Sequence, residues 1–266
     1  MSFAGKVVII TGSSAGIGQA AAVLFAEAGA SVTIHGRNEE KLKETIQLIE
    51  EAGGSKEKVL TVVGEIIDEN VQKNLIQKTI EKFGKIDVLI NNAGIKKKES
   101  LEDHRSLENF DYIFNVNLRA PVAITELAIP YLEKTKGNVI NVSSITALKT
   151  QPVSPFYGMT KAALDHFCRN YAAILAPKGI RVNNLSPGAT DTDFNPRHGI
   201  ISETWAKIQQ ALNSIIPLGR WASAKEMAEY LLFIASDKAA YMTGQMIIVD
   251  GGITVAASIP NLTKPS

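Results

Sequence analysis

Tyr157 and Lys161 stand four positions apart, at the start of a helical pattern that extends to about Leu175. Side chains with this spacing project from the same face of an α-helix. A phenol, with a reference pKa of about 10, is a weak acid or base at neutral pH, but a nearby ammonium group favours the phenolate. We therefore expect Lys161 to lower the pKa of Tyr157. The tyrosine could then donate a proton to a carbonyl oxygen, or remove one from an alcohol, without a metal ion.

Glycines cluster directly after the first apolar run, in the segment Thr11-Gly12-Ser13-Ser14-Ala15-Gly16-Ile17-Gly18. An alanine-rich helical pattern follows this segment. Positions without a side chain let the backbone turn tightly and approach a pyrophosphate, while the start of a helix offers unpaired amide groups. Gly12, Gly16 and Gly18 are therefore predicted to cradle a dinucleotide.

Seven short runs rich in β-branched residues alternate with longer helical patterns. These runs are Val7 to Thr11, Val32 to Ile34, Val59 to Val63, Val88 to Ile90, Val139 to Val142, Val182 to Leu185 and Met246 to Val249. Because they are apolar at consecutive positions, they predict strands of a parallel sheet covered on both faces. The predicted fold is α/β, a single domain over residues 1–266 with a doubly wound parallel sheet of about seven strands and helices on both faces. Ligands should collect at the carboxyl edge of such a sheet.

One long connection, from Thr190 to Pro217, interrupts this alternation before a helix expected near Ala224 to Ala235. Within it, residues with approximately helical spacing predict a short amphipathic helix: Trp205, Ile208, Leu212 and Ile216. We expect residues 190–217 to form a lid over the substrate. The tail from Ile253 to Ser266 is interpreted as either a docked arm or a disordered end.

Four motifs occur in an order typical of one family. They are Thr11-Gly-x-x-x-Gly-x-Gly18, Asn91-Asn92-Ala93-Gly94 after the fourth run, Tyr157 with Lys161, and Pro187-Gly188 after the sixth run. Together they resemble the short-chain dehydrogenase/reductase (SDR) family, from Gly5 to Gly252. The resemblance implies a Rossmann-like fold and an oxidoreductase that transfers hydride between a nicotinamide cofactor and a carbonyl or alcohol carbon.

The resemblance also implies two further members of a catalytic set with Tyr157 and Lys161. Ser144 stands thirteen positions before Tyr157, where the family has its catalytic serine, and would orient the substrate oxygen. Adjacent Ser143 is the competing candidate and is expected instead to bond backbone. Asn117 matches the family asparagine that holds a water linking Lys161 to solvent.

The same resemblance extends the cofactor site along the sheet edge. The implied cofactor-binding residues are Gly12, Ser13, Ser14, Gly16, Ile17, Gly18, Arg37, Glu65, Ile66, Asn91, Ala93, Gly94, Tyr157, Lys161, Pro187, Gly188, Ala189, Thr190 and Thr192. Glu65 and Ile66 resemble the pair that recognises adenine, although the family more often has Asp than Glu at the first position. Thr192 is expected to grip the nicotinamide carboxamide, with Thr190 as the alternative hydroxyl.

Cofactor preference is predicted from the end of the second run. Gly36 occupies the position where NAD-preferring relatives carry a carboxylate, and Arg37 can offer a charged fork to the 2′-phosphate of NADP. Ser13 could add a hydrogen bond to that phosphate. We predict NADP (NADPH), with NAD less favoured, although Ala15 stands where many NADP-binding relatives have a basic residue.

Charge and composition exclude several other partners. The chain has 28 basic and 27 acidic residues, a net charge of +1, which predicts no affinity for nucleic acid or an anionic membrane. The single cysteine, Cys168, excludes an intrachain disulfide, and four scattered histidines predict no metal site. We expect a cytoplasmic enzyme acting on a small molecule.

Alternatives remain open on the sequence alone. A sensor could keep the fold without the chemistry, and an acyl-carrier-protein 3-oxoacyl reductase could use Lys96-Lys97-Lys98 to dock an acidic partner. Helix faces around Tyr157 and the family resemblance imply a homo-oligomer, a dimer or tetramer. The residues expected to shape the pocket are Leu148, Thr150, Phe156, Phe194 and Trp205.

Overall fold

The computed structural model describes residues 1–101, 103–192, 194, 209–211 and 213–256. Its strands are β1 (Val7–Ile10), β2 (Ser31–Gly36), β3 (Val59–Val63), β4 (Val88–Asn91), β5 (Asn138–Val142), β6 (Arg181–Pro187), β7 (Thr190–Asp191), β8 (Ala222–Ser223) and β9 (Met246–Val249). The helices used below are α1 (Gly16–Glu27), α2 (Glu39–Glu51), α3 (Glu69–Phe83), α4 (Leu107–Phe114), α5 (Ala120–Thr135), α6 (Pro155–Leu175) and α7 (Ala224–Ala235).

A seven-stranded parallel sheet organises the chain in the order β3-β2-β1-β4-β5-β6-β9. This confirms the predicted doubly wound α/β fold, and each of the seven predicted runs forms one of these strands. The strand order reverses direction between β1 and β4, which opens a crevice at the carboxyl ends of those strands. The sequence did not predict the two-residue parallel pair of β7 and β8.

Two apolar layers enclose the sheet, because successive side chains of a strand point to opposite faces. Val8 and Ile10 of β1 pack with α1, α2 and α7, whereas Ile9 between them packs with α3, α5 and α6. Both faces of the central strands are therefore buried, as their uninterrupted apolar sequences predict.

Local signals fix where the helices begin. Ser223 and Glu226 form a reciprocal capping box at the start of α7, and the Asp68 side chain accepts a hydrogen bond from the Asn70 amide before α3. The helix expected near Ala224 to Ala235 is confirmed with those bounds. Among the described residues, no helix has the length and apolar character needed to cross a membrane.

Part of the predicted lid lies outside the described residues, including Trp205, Ile208 and Leu212. The described flanks do reach the sheet edge. Ile216 is buried, and Phe194 and Ile215 line the main cavity described below. Of the tail, Ile253 is buried against the same cavity, and residues 257–266 lie outside the described part.

Candidate active site

The glycine-rich turn after β1 is held tightly against the end of β4. Gly12 has a φ of +67°, and a Cβ at this position would lie 2.8 Å from the Ala93 Cα. A Cβ on Gly18 would collide with the Asn92 side chain and the Gly12 carbonyl. Only glycine fits these two positions, because the turn must bring its backbone this close to β4.

The first turn of α1 leaves its amide groups available to an anion. The residue before the helix, Ala15, provides no side-chain cap, and no acidic residue stands in the first turn. Amide groups at a helix start, together with a side-chain-free turn, suit a pyrophosphate. Gly16, with a φ of +58°, and Ile17 both line the main cavity.

His35 braces this turn from β2, a role that the sequence did not predict. Its Nδ1 accepts a hydrogen bond from the Gly12 amide at 3.3 Å, and its Nε2 lies 3.1 Å from the Gly64 carbonyl. This arrangement requires a neutral ring that donates from Nε2. Burial lowers the pKa of His35 to about 4, against a smaller opposing effect of the Gly64 hydrogen bond, so the ring is neutral at physiological pH.

Ser13 is placed differently from its prediction as a phosphate ligand. Its hydroxyl is buried, donates to the Ile10 carbonyl at 3.0 Å and accepts from the His35 amide at 2.8 Å. The side chain therefore joins β1 to β2 and does not face the groove. Serine in a tight turn can bond the local backbone as readily as a ligand. The residue type alone therefore could not show whether Ser13 bonds the backbone or the phosphate.

The end of β4 is anchored to the glycine turn through Thr11. The Thr11 hydroxyl accepts hydrogen bonds from the amides of Asn92 and Ala93, both at 3.0 Å. The Asn92 side chain donates to the carbonyls of Thr11 and Gly12, so it holds the end of β4 against the glycine turn. Asn92 and Gly94 also line the main cavity.

A ladder of buried amides crosses the sheet behind the site. Asn91 donates to Asn141 at 2.9 Å, Asn141 donates to Asn184 at 2.8 Å, and Asn184 donates to the Asp165 carboxylate at 2.8 Å. Asn91, Asn141 and Asn184 are register partners on β4, β5 and β6. Asp165 lies on α6, one turn after Lys161, so the amide ladder connects the sheet to the helix that bears the catalytic candidates.

Ser144, Tyr157 and Lys161 meet in one cavity of about 540 Å³ at the carboxyl edge of β5. Ser144 lowers the pKa of Tyr157 as a neighbouring hydrogen-bonding group, and its hydroxyl accepts from the Thr146 amide at 3.2 Å. Lys161 Nζ lies 5.6 Å from the centre of the Tyr157 ring and donates to the Val142 carbonyl at 2.7 Å. The neighbouring Ser143 hydroxyl donates to the Lys161 carbonyl at 3.4 Å, as expected for a backbone-bonding residue.

The prediction that Lys161 lowers the pKa of Tyr157 is wrong for this structure. Burial raises the pKa of Tyr157 to about 12, and the opposing effect is the hydrogen bond from Ser144. Burial also lowers the pKa of Lys161 to about 8, partly offset by the negative charge of Asp165. Desolvation therefore decides the direction of the shift, and Tyr157 is protonated at neutral pH.

Asn117 lies in a π-helical turn, Asn115–Arg119, that joins α4 to α5. Its Oδ1 accepts from the Ile95 amide at 2.9 Å, and its Nδ2 donates to the Ile95 carbonyl at 2.8 Å and to the Thr160 hydroxyl at 3.1 Å. Such π turns are rare and often occur at functional sites. The turn brings Asn117 and Lys161 Nζ to the same side of Gly94.

The segment after β6 forms the opposite wall of the cavity. The wall consists of Pro187, Gly188, Ala189, Thr190 and Thr192. The Thr190 hydroxyl donates to the Gly188 carbonyl at 3.2 Å, whereas the Thr192 hydroxyl accepts from the Phe194 amide at 3.3 Å. A Cβ on Gly16 would lie 3.2 Å from the Thr192 side chain, so Thr192 borders the glycine turn. Among the described residues no acceptor binds the Thr192 hydroxyl proton, which favours Thr192 over Thr190 as the expected donor at this wall.

The end of β2 has no space for a carboxylate side chain at position 36. A Cβ on Gly36 would lie 2.9 Å from both the Cβ and the Oγ of Ser14. Arg37 is half-exposed and makes ion pairs with Glu65 at 3.4 Å and with Glu99 at 2.8 Å. Glu65 is thus placed beside Arg37, and Ile66 is buried. The pairing of Arg37 with two carboxylates could not be foreseen from the sequence.

Several pocket residues differ from those expected. Thr150 and Phe194 line the cavity as predicted. Leu148 is instead an exposed residue at the end of a short turn, and Phe156 packs on Phe110 at 5.1 Å between ring centres. Lys96 was predicted as part of a surface patch, but it lines the cavity.

The strand order, the glycine turn and the Ser144–Tyr157–Lys161 cluster define an oxidoreductase of the nicotinamide-dinucleotide class. A family model described as enoyl-(acyl carrier protein) reductase matches residues 12–254. The chain is 36% identical to the 3-oxoacyl-[acyl-carrier-protein] reductase FabG of Thermotoga maritima, covering 96% of this chain and 100% of that protein. It is 35% identical to a glucose 1-dehydrogenase of Gluconobacter oxydans, covering 97% of this chain and 96% of that protein.

Solved structures agree with these relatives. A Caenorhabditis elegans short-chain dehydrogenase/reductase of unknown function, crystallised with cofactor, superposes with a TM-score of 0.91 at 39% identity, covering 96% of this chain and 97% of that one. Apo glucose dehydrogenase of the same organism gives a TM-score of 0.84 at 40% identity, covering 96% of this chain and 100% of that one. The chain belongs to the short-chain dehydrogenase/reductase family.

Proposed function

We propose that this protein is an NADPH-preferring carbonyl reductase in which Tyr157 is the acid in reduction and the base in the reverse reaction. The observation that carries the proposal is that Ser144, Tyr157 and Lys161 line one cavity together with the glycine turn and the wall from Pro187 to Thr192. A phenol that holds its proton at neutral pH can deliver it to a carbonyl oxygen. An intact acid of this kind argues against the sensor alternative.

The described residues fit a nicotinamide dinucleotide. Gly12, Gly16 and Gly18 leave space next to the start of α1 for a pyrophosphate, and the wall from Pro187 to Thr192 would hold the nicotinamide. When bound, the cofactor supplies hydride. Asn91, Ala93 and Gly94 support the same groove from β4, with Asn91 acting through the amide ladder.

The protein's own residues then handle the proton. Ser144 orients the substrate oxygen by hydrogen bonding, and Tyr157 donates its phenolic proton to that oxygen. The Lys161 ammonium stabilises the phenolate that remains, because opposite charges attract strongly in a buried site. Asn117, through its contacts around Gly94, positions the path by which a proton returns to the site.

Replacing Tyr157 with Phe tests this proposal. Loss of the proton donor should lower kcat/KM for carbonyl reduction by about 100- to 10,000-fold, the usual contribution of a general acid. Binding of NADPH, followed by fluorescence, should change little, because the ring remains. Tyr131→Phe, on α5, is the matched control. Equal activity of wild type and Tyr157→Phe would remove the acid role, and binding without any turnover in the wild type would favour a sensor.

NADPH preference is supported by the rim at β2. Gly36 leaves no room for the carboxylate that would repel a 2′-phosphate, and Arg37 lies at the correct strand end. Glu65 and Glu99 hold Arg37 in place but also compete for its charge. The preference for NADPH over NADH therefore depends on exchange of at least one of these ion pairs for the phosphate.

Arg37→Leu measures that preference. We expect the KM for NADPH to rise about tenfold or more, as for loss of a charged hydrogen bond, while the KM for NADH stays constant. Arg119→Leu removes a comparable exposed ion pair, with Glu69, and is the matched control. If both cofactors weaken equally in Arg37→Leu, the arginine does not select the phosphate.

The similarity to FabG favours a second candidate, reduction of a 3-oxoacyl group on an acyl carrier protein. Lys97 and Lys98, however, make local contacts, with the Leu101 carbonyl and the Glu108 carboxylate. This argues against a docking site built from three lysines. A KM for acyl-carrier-protein substrates that is much lower than for small thioesters, and that rises with salt, would support this candidate.

A further inference from the structure

Three buried ionisable side chains form a row along α6. Tyr157, Lys161 and Asp165 stand at intervals of four residues, which places them on one face of the helix. Asp165 is only 4% exposed, and Lys161 is only 3% exposed. Tyr157 and Lys161 line the main cavity, whereas Asp165 does not. The proton transfer proposed above leaves this buried acid without a role.

The amide ladder fixes the carboxylate of Asp165 to the sheet. Asn184 Nδ2 donates to Asp165 Oδ1 at 2.8 Å and to the Leu164 carbonyl at 3.2 Å. Asn184 in turn accepts from Asn141 at 2.8 Å, so its amide cannot turn without breaking a bond of the ladder. A neutral amide satisfies a carboxylate oxygen but brings no positive charge. The negative charge of Asp165 therefore acts on its surroundings.

Asp165 has ionisable neighbours on both sides along α6. Cys168 and Arg169 follow it, and Lys161 precedes it. Burial, with the charge of Asp165 as a smaller cause, raises the pKa of the Cys168 thiol to about 12, so the thiol is neutral. Arg169 is exposed, where water screens its charge. Arg181 of the adjacent strand β6 instead donates to the Ile234 and Met242 carbonyls. Lys161 is thus the buried cation that the charge of Asp165 can stabilise.

The groups that face Lys161 from other elements are neutral or cationic. The end of β5 provides the Val142 carbonyl, 2.7 Å from Lys161 Nζ, and the π turn provides the neutral amide of Asn117. No aspartate or glutamate occurs among the described residues that line the main cavity. The other ionisable side chains of that lining are Tyr157, Lys96 and Lys149. The negative charge that acts on Lys161 therefore comes from Asp165.

This negative charge opposes the effect of burial on Lys161. Burial lowers the pKa of Lys161 to about 8, and Asp165 offsets part of that fall. Once Tyr157 has given up its proton, an ammonium stabilises the remaining phenolate, whereas a neutral amine does not. Without its acid, Lys161 would lose the ammonium at a pH closer to neutral.

We propose that Asp165 is a positioning residue for the proton transfer, because its buried carboxylate keeps Lys161 in the ammonium form that the Tyr157 phenolate needs. The inference rests on the carbonyl reductase function proposed above. No bond forms or breaks at Asp165, and the phenolic proton still goes to the substrate oxygen. Asn184 serves the same step indirectly, since it fixes where the carboxylate lies.

Removal of the charge at position 165 tests this role through the pH profile. Asp165→Asn keeps the shape of the side chain and an oxygen that can accept from Asn184, but it deletes the charge. For carbonyl reduction by wild type, kcat/KM should fall above about pH 8, where Lys161 loses its proton. We expect this alkaline decline to begin about one pH unit lower in Asp165→Asn, because loss of a nearby opposite charge lowers the pKa of an ammonium. Near pH 6, where Lys161 is charged in both proteins, kcat/KM should be similar.

Three further variants separate charge from shape. Asp165→Glu restores the charge and should return the alkaline decline toward its wild-type position. Asp165→Ser is a second neutral variant, which should shift the decline in the same direction as Asp165→Asn and replaces it if Asp165→Asn does not fold. Asp111→Asn removes an exposed acid of α4 and is the matched control, which should leave the decline unchanged.

Two outcomes would overturn the role of Asp165 while carbonyl reduction stands. One is an alkaline decline at the wild-type pH in the neutral variants, and the other is an equal fall of kcat/KM at every pH, which a purely structural residue would produce. If wild type reduces no carbonyl compound, the proposed function fails instead. NMR titration of isotope-labelled lysines, with Lys161 assigned from Lys161→Arg, then decides the role of Asp165. The midpoint of Lys161 should lie near pH 8 in wild type and lower in Asp165→Asn, and equal midpoints would overturn the proposal.

Discussion

Burial shifts the pKa values of Tyr157 and Lys161 in opposite directions, because the charged form is a phenolate in one residue and an ammonium in the other. Burial raises the pKa of the phenol to about 12 and lowers that of the ammonium to about 8. The phenol therefore starts as an acid, and the reverse reaction must first remove its proton. This asymmetry predicts different pH profiles in the two directions.

Alcohol oxidation should accelerate as pH rises, since it needs the phenolate. Below the phenol's pKa of about 12, the deprotonated fraction grows roughly tenfold per pH unit, so kcat/KM for oxidation should rise between about pH 6 and 8, where Lys161 keeps its charge. Carbonyl reduction should stay level and then fall above about pH 8, where Lys161 loses its charge. Steady-state profiles in both directions check this, and parallel profiles would contradict it.

Ser144 and Ser143 offer a second residue-level comparison. Ser144→Ala removes the hydrogen bond that lowers the pKa of Tyr157 and the group that would orient the substrate oxygen. We expect kcat/KM to fall about 10- to 100-fold, as for loss of a hydrogen bond to a charged or reacting group. Ser143→Ala should change kcat/KM by less than about threefold. The reverse ranking would make Ser143 the orienting residue.

At this scale the sequence predicts which residue types meet but not how each is oriented. Tyr157 and Lys161 meet because helical spacing is a local property. The positions of the Ser13 hydroxyl and the Lys96 ammonium depend on neighbours that are distant in sequence, His35 for Ser13 and Phe194 for Lys96. Desolvation likewise depends on the whole cavity, so the direction of the Tyr157 shift could not be obtained from its neighbour alone.

Among the elements, β2 controls the glycine turn through His35. Because the pKa of His35 falls from 6.5 to about 4 on folding, its contribution to the free energy of unfolding is complete above about pH 6.5. It is lost as pH falls toward 4, by roughly 3 kcal/mol at about 1.4 kcal/mol per unit. Denaturation curves at several pH values should show this loss in wild type. His35→Gln, which cannot gain a proton, should show less of it, and equal pH dependence would contradict the role.

The amide ladder should stabilise the junction of three strands and α6. Asn141→Leu would leave the Asn91 donor and the Asn184 acceptor unpaired in the core. We expect the free energy of unfolding to fall by about 2–5 kcal/mol, since each buried unpaired group costs about 1–3 kcal/mol. Urea denaturation measures this. Asn70→Leu, at the exposed start of α3, should change stability by less than about 0.5 kcal/mol.

The elements themselves follow closely from the sequence. Seven apolar runs became seven strands because burial on both faces leaves an unambiguous pattern. The π turn at Asn117 and the pair of β7 with β8 were not foreseen. Neither has a local signal, because the first depends on how α4 meets α5 and the second on register between distant segments.

On the scale of the whole molecule, exposed apolar side chains predict self-association. Tyr230 and Phe233 on α7, with Leu218, border a second cavity of about 390 Å³ next to the edge strand β9. We expect light scattering to give a mass that is a multiple of the 28.7 kDa chain. Phe233→Glu should lower the measured mass toward that of a single chain, whereas Leu48→Glu on α2 should leave it unchanged. A wild-type mass of one chain would contradict the prediction.

The two-residue pairing of β7 with β8 holds the chain on either side of residues 192–221 in fixed register, Thr190 with Ala222 and Asp191 with Ser223. Because the backbone hydrogen bonds of this pair fix where the chain leaves and rejoins the sheet edge, the connection between them can differ in sequence without moving the two ends. Exchanging it for that of a relative should alter substrate choice while Tyr157, Lys161 and the glycine turn keep their positions, so new specificities can evolve without rebuilding the catalytic apparatus.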